Sequence, residues 1–300
     1  MVVLRSVAML LVISMVAFAI INAMPADPVD IAIHAWNLPS TPETIAALRE
    51  QWGLDVPLVP RYFIWLGQFI TGDWGRSFRT GGAVLPEFVT RLPLSLSIGL
   101  GGLLIAMVCA IPLGFASARW PGGIADRFTR ALAILVQAVP SFFIGLLIIW
   151  VFAVKLRWFR AFGTDLSAII LPIGLIALHS LGVLSRVYRR GILEIVDQPF
   201  MTTAKAKGLS PSAVLWHHGH RFGLFALLSA ARSEAAWAVG AAAALEILFN
   251  VPGISQFMVQ SVGARDYFVL QAYVMVVACW LLILNAMVET AIRRLDPRAQ

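Results

Sequence analysis

The chain is short of charge, of lysine and of cysteine. Only 13% of its 300 residues are charged, about half the share found in an ordinary soluble domain, which argues against a soluble globular fold. Its three lysines, Lys155, Lys205 and Lys207, follow Val, Ala and Ala, so none completes the Gly-Lys pair with which a P-loop reaches nucleotide phosphates. The chain is therefore not its own P-loop ATPase. The two cysteines, Cys109 and Cys279, fall inside apolar runs and read as small packing residues rather than a disulfide. An HExxH pattern and paired aspartates within apolar segments are also missing, which excludes the intramembrane enzymes built on them. No ten-residue alternation of a membrane β-barrel is visible, and no repeat of the kind common in secondary transporters.

What is abundant is apolar sequence, 59% of residues. Crossing a hydrocarbon core of about 30 Å takes about 20 helical residues, and six runs are long enough: Val2 to Met24, Leu92 to Ala118, Phe128 to Val154, Leu166 to Leu184, Phe222 to Phe249 and Phe268 to Ile292. Only helices satisfy the backbone of an open spanning segment without water. The expected fold is all-α, a polytopic membrane protein with six transmembrane helices. The first run, with Arg5 near its start and Ile-Asn-Ala near its end, has features of a signal peptide. Its apolar part from Val7 to Ala23 exceeds the usual core of about 7 to 15 residues, so a retained membrane helix is expected.

Basic residues set the orientation. Arg5, then Arg119, Arg127 and Arg130, then Arg186, Arg189, Arg190, Lys205, Lys207 and Arg221, then Arg293, Arg294 and Arg298 share one side. Most basic residues on the other side lie in one long loop, where the positive-inside rule has little force. Both termini are thus expected in the cytoplasm, and the net charge of +7 follows from this bias without nucleic acid. The chain divides into a first membrane helix (1–24), an extracytoplasmic loop with short helices (25–91), a five-helix core (92–292) that includes a cytoplasmic loop (189–221), and a cytoplasmic tail (293–300). In the outer loop, Thr41 as N-cap, Pro42 and Gly53 mark one helix, and the aromatic stretch Arg61 to Ile70 marks a second, expected on the membrane surface or over the channel mouth. Trp120, Trp158 and Tyr267 suit an interfacial belt.

The cytoplasmic stretch MTTAKAKGLSPSAVLWHHGHR, Met201 to Arg221, breaks the apolar pattern. Asp197 is a plausible N-cap with Pro199 in the first turn, Met201 to Lys207 a short helix, and Gly208 its left-handed stop. Ser210 then caps a second helix starting at Pro211. Small Ala204 and Ala206 leave one side thin enough for another protein to approach. Two readings stay open on these grounds, a docking element and a solvated loop that holds topology. His217 and His220 share a helical face, but without a neighbouring carboxylate or Cys they make a poor metal site, and no metal ligands are assigned.

This stretch resembles the EAA loop of ATP-binding-cassette importer permeases, in the form found in the peptide, opine and nickel uptake branch: Thr203, Ala204, Ala206, Lys207, Gly208, Leu209, His218 and Arg221 stand at the matching positions. Further stretches resemble the same family in order: Thr41 to Leu58, GDWGRSF from Gly72, RLPLSLSIG from Arg91, IPLG from Ile111, VPSFFIG from Val139, the spaced Glu246, Phe249, Pro252 and Gly253, RDY from Arg265 and LDPR from Leu295. The resemblance implies the type I importer fold in the inner membrane of a bacterial cell. It also implies a second homologous permease subunit in a heterodimer, two ATPase subunits carrying ATP and Mg, and an extracytoplasmic solute-binding protein. This chain would bind no cofactor and perform no catalysis. ATPase coupling would fall to Thr203, Ala204, Ala206, Lys207, Gly208 and Leu209, and an extracytoplasmic gate or binding-protein contact to Glu246, Pro252 and Gly253.

Departures from the family pattern stand at Ala226, where proline is usual, at Ser255, and at Arg232 and Glu234 inside the fifth run. Each intramembrane charge costs about 2.5 to 3.5 kcal/mol, and residues two apart diverge by roughly 200° on a helix. These two therefore do not neutralise one another on one face. They belong either to a translocation route or to contacts with the second permease. His179 in the fourth run either hydrogen-bonds a neighbouring helix or lines that route. For substrate, NLPSTPE (Asn37 to Glu43) and LRWFRAFG (Leu156 to Gly163) resemble nickel or metallophore-complex permeases, so a chelated transition metal is expected first and short peptides second.

Overall fold

A computed structural model describes residues 2–23, 27–158 and 166–295. Helices follow one another as α1 (Val2–Asn22), α2 (Pro28–Ala35), α3 (Pro42–Gln51), α4 (Leu58–Thr71), α5 (Val84–Arg119), α6 (Ile124–Ala138), α7 (Ser141–Ile148), α8 (Leu166–Leu193), α9 (Pro199–Ala206), α10 (Pro211–Val214), α11 (His220–Leu248), α12 (Ile254–Gly263) and α13 (Tyr267–Leu295), with π-helical segments at Ile149–Lys155 and Leu215–Gly219. The chain is all-α, as its apolar runs require. The boundary expected at 24/25, the residues 159–163 of the loop used to argue substrate, and tail residues 296–300 lie outside the described residues.

The membrane helices differ from six plain spans. α1, α5, α8 and α13 are long and apolar enough to cross on their own, whereas the third run is a pair, α6 and α7, bent by 103°. Pro140 is the cause. It has no N–H to donate, and it pushes Val139 into extended backbone at φ −112° and ψ 124°, where a helix cannot continue. The fifth run is α11, 29 residues long. Composition alone does not class it as a span, because the charged Arg232, Glu234 and Glu246 lower its apolar content. α5 starts at Val84, ahead of the expected Leu92, with Arg91 paired to Glu87 one turn earlier at 2.8 Å. α8 runs on past Leu184 to Leu193 through three arginines.

The chain forms two compact units, residues 1–93 with 252–282 and residues 94–251 with 283–300. In the first, the outer helices carry the caps that their sequence demands: Thr41 Oγ1 accepts from the Thr44 amide at 3.3 Å, and Asp27 accepts from the Val29 amide at 2.9 Å while pairing with Arg49. α4 does not lie free on a surface. Its Tyr62 and Trp65 pack on Phe18 of α1 and Met275 of α13, and Tyr62 bonds Ser14 at 2.8 Å. Tyr267 is likewise buried beside Phe78 and Leu270 rather than set in an interfacial belt, whereas Trp120 and Trp158 are exposed.

Two stretches nearly 190 residues apart in sequence meet in this unit. Ser77 Oγ donates to Asp266 Oδ2 at 2.5 Å, and the Arg79 amide donates to the same oxygen at 3.3 Å. Asp266 is fully buried. Burial pushes its carboxyl above the usual carboxylate range, against the hydrogen bonds from Ser77 and the Arg79, Phe78 and Val269 amides, which pull it down.

The second unit is organised on α8. At Gly102 of α5, an added Cβ would stand 2.7 Å from Ile176 Cβ and 2.9 Å from the Ile173 carbonyl of α8. Small residues at such crossings let backbones meet where lipid offers no hydrophobic drive to hold helices together. α11 crosses α8 as closely. A Cβ on Gly191 would sit 2.8 Å from Ala226 Cβ and 2.8 Å from the Phe222 carbonyl, so the small side chain at the departure position Ala226 fills this crossing.

Two predictions follow from these contacts. Gly102→Ala should lower stability by about 1 to 3 kcal/mol through overpacking against backbone. Gly99→Ala, where nothing lies within 4 Å, should hold or slightly raise the melting temperature of the detergent-solubilised protein, since alanine is the better helix former. For Asp266 the folded pKa lies above the unfolded one, so its contribution is complete below the unfolded value and is lost as pH rises through the folded value. Asp266→Asn should flatten that loss in melting curves recorded across pH.

Candidate functional site

The elbow around Gly208 is built from local signals. α9 begins with Pro199 behind an N-cap at Gln198 that makes no side-chain capping bond. Asp197, the expected cap, stands one residue too early. Met201 and Ala204, three residues apart, point inward and are buried with Ile195 and Val214. Ala204 is therefore packed within the chain and is not a docking surface, contrary to expectation. The outward face carries Thr203, Lys205, Ala206, Lys207, Gly208 and Leu209, all exposed. Gly208 has φ +82° with open space around it, the left-handed conformation that glycine adopts without strain. Ser210 Oγ accepts from the Ala213 amide at 3.3 Å, and Pro211 opens α10 as expected.

The unexpected element is the π-helical turn Leu215–Gly219. Its extra residue per turn changes the angular spacing and parts the histidines. His217 is exposed, while His220 turns inward, hydrogen-bonds the Tyr188 hydroxyl and stacks on Trp216 with ring centroids 4.3 Å apart. Trp216 in turn meets Phe115 of α5 edge-on at 5.2 Å. The elbow is thereby fastened to α5, α8 and α11 at once. Among the described residues no group of three or more His, Cys, Asp or Glu is placed to hold a metal.

Deeper along α8 and α11 lies a polar cluster. Ser180 Oγ donates to Glu234 at 2.8 Å, and His179 lies flat on Trp237 with centroids 3.5 Å apart, its imidazole bonded to the Val136 backbone of α6. Glu234 is buried and Arg232 is exposed, facing different ways as their spacing requires. Ser180 with Glu234 and His179 with Trp237 thus form neighbouring pairs between α8 and α11, and Arg232 belongs to neither. Ser180 and Trp237 were not singled out in the sequence, where nothing marks them. Near the end of α11, Glu246 is fully buried and its carbonyl accepts from the Val251 amide at 2.8 Å. The first unit resumes at residue 252. Glu246 therefore belongs to one unit, and Pro252 and Gly253, the latter capping α12, to the other.

Residues 110–300 match the model of a family described as the binding-protein-dependent transport system inner membrane component. The chain belongs to this family. Residues 2–99 match its companion N-terminal model. A Brucella abortus protein provisionally named a peptide transport system permease is 30% identical over 305 residues, covering 99% of this chain and 96% of its own. An oligopeptide transport system permease protein of Bacillus subtilis is 29% identical over 99% of this chain and 97% of its own. A Sinorhizobium fredii protein provisionally named a peptide ABC transporter permease is 28% identical over 98% and 96%. The permease is therefore a multi-pass protein of the inner membrane and a transport subunit of an ABC importer. Membership in the family implies ATPase and solute-binding partners.

The permease's elbow yields a stability test. His220→Phe keeps a ring on Trp216 but strips the buried Tyr188 hydroxyl of its partner, which should cost about 1 to 3 kcal/mol. Adding Tyr188→Phe should recover part of the loss in thermal melts of the purified complex.

Proposed function

We propose that this permease forms half of the translocation path of a peptide importer, paired with a second homologous permease, driven by two ATPase subunits that hold ATP and Mg, and fed by an extracytoplasmic binding protein. The observation that carries the substrate class is the similarity, over nearly the whole chain, to proteins named as peptide permeases. The nickel or metallophore reading finds no such support. It rested on short loop stretches, one of which extends beyond the described residues.

In this reading the exposed face of α9 and Gly208 dock on an ATPase, and Thr203, Ala206, Lys207 and Leu209 line the contact. Ala204 supports that surface from behind by packing on Val214. Closure of the ATPases pushes the elbow, and the Trp216, His220 and Tyr188 contacts pass the motion to α8 and α11. These helices carry Glu234 and His179, which we assign to the path. Arg232, exposed on the other side of α11, we assign to the second permease subunit. Coupling of this kind must reside in contacts that differ between the two states. Glu246, Pro252 and Gly253 remain assigned to the extracytoplasmic gate or binding-protein contact.

Uptake by the reconstituted transporter tests the substrate. Labelled short peptides should accumulate in proteoliposomes with ATP and binding protein. Accumulation of nickel or its chelates with no peptide uptake would overturn the peptide reading. Gly208→Asp should abolish transport in a complex of normal abundance while leaving membrane insertion intact, and retained uptake would remove the coupling role.

A further inference from the structure

Between α6 and α8 lies a cavity of about 870 Å³, within the range of about 300 to 1,000 Å³ typical of ligand sites. Its charged lining consists of Asp126 and Arg130 from α6 and Arg186, Arg189, Arg190 and Glu194 from α8. Four guanidinium groups thus face two carboxylates, an excess of two positive charges. Asp126 is 3% exposed and organises half of the cluster. It accepts the Gly122 amide at 2.8 Å, Arg130 at 3.0 Å and Arg189 at 3.0 Å, so two arginines are held in place by one carboxylate.

The other two are not ion-paired. Arg186 and Arg190 sit one turn apart on α8 and make no ion pair among the described residues. Glu194, one turn beyond Arg190, is exposed and is likewise unpaired there. Like charges at this spacing destabilise a helix by a few tenths of a kcal/mol, so the helix gains nothing from them. The positive-inside bias needs only a number of charges near the span. It does not require them to converge on one cavity around a buried aspartate. The same α8 wall also carries Val183 and Val187 beside the arginines, so apolar groups adjoin the charged ones. With the C-terminal end of α8 in the cytoplasm, as the bias of basic residues leads one to expect, these arginines would stand at the depth of the anionic headgroups of the inner leaflet, where basic pockets between helices take phosphate.

We propose that this cavity binds the phosphate of an anionic phospholipid of the cytoplasmic leaflet. Arg186 and Arg190 contact the phosphate, Arg130 and Arg189 are poised beside it by Asp126, and Val183 and Val187 meet the start of an acyl chain. The proposal needs the cytoplasmic placement of this end of α8 and is independent of the solute transported. It explains why arginine, able to take phosphate oxygens two at a time, fills every basic position of the cavity.

The test is native mass spectrometry of the whole delipidated transporter titrated with phosphatidylglycerol, phosphatidylcholine or inorganic phosphate. Phosphatidylglycerol should bind at a saturable site and phosphatidylcholine should not. Arg186→Gln/Arg190→Gln should weaken that site on the order of tenfold or more, while Arg127→Gln/Arg294→Gln, which removes two exposed arginines outside the cavity, should leave it intact. Equal weakening by both pairs would overturn the proposal in favour of diffuse attraction. Binding of inorganic phosphate that displaces the lipid and depends on the same pair would overturn the lipid source and leave a free-phosphate site. Loss of a protein subunit from the double variant without change in lipid binding would show that protein covers the cavity, and would also overturn the proposal.

Discussion

Close backbone approach along α8 is the constraint on which the second unit depends. Lipid tails are as apolar as leucine, so burial gives membrane helices little reason to associate, and packing contacts must do so. Gly102 brings α5 against Ile173 and Ile176, a Cβ added at Gly182 would stand 3.1 Å from Ala133 Cα of α6, and Gly191 meets α11 at Phe222 and Ala226. Three neighbours thus meet one helix at backbone distance. Side chains lodged at these crossings, among them the fully buried Ile176, Leu184, Tyr188 and Ile192, are held in single positions by interdigitation.

That rigidity gives the polar groups their meaning. A carboxylate within a span is expensive unless satisfied, and Glu234 is tied to Ser180 only because α8 and α11 lie so close. The same two helices hold Tyr188 against His220 near the elbow. A displacement of α9 therefore meets packed side chains rather than a slack loop, the condition under which small shifts are carried through a bundle. Met201 and Ala204, at the root of α9, are the first links in this chain of contacts.

Much of this architecture was legible in the residues. The caps at Thr41 and Ser210 and the left-handed Gly208 are local, and each appeared where its chemistry placed it. The divergence of Arg232 and Glu234 followed from helical spacing, and the family from several motifs in order. Other features were not legible because their causes are distant or compete. Pro140 sits in an unbroken apolar run, and whether a proline kinks or breaks a span depends on what packs around the freed backbone. Ala204 looked like part of a thin outer face until its partner Val214, ten residues on, was in place. The π-helical turn at Leu215–Gly219 has no marker of its own in the residues that form it.

Membrane residence and family were set by the sequence alone, because they rest on the length of apolar runs and the order of short motifs, both of which are additive along the chain. Which arginines face a common cavity, which histidine turns inward, and how Asp266 comes to hold Ser77 were decided by tertiary structure. Those outcomes depend on distances between residues far apart in the chain, and such distances exist only once the helices have chosen their crossings.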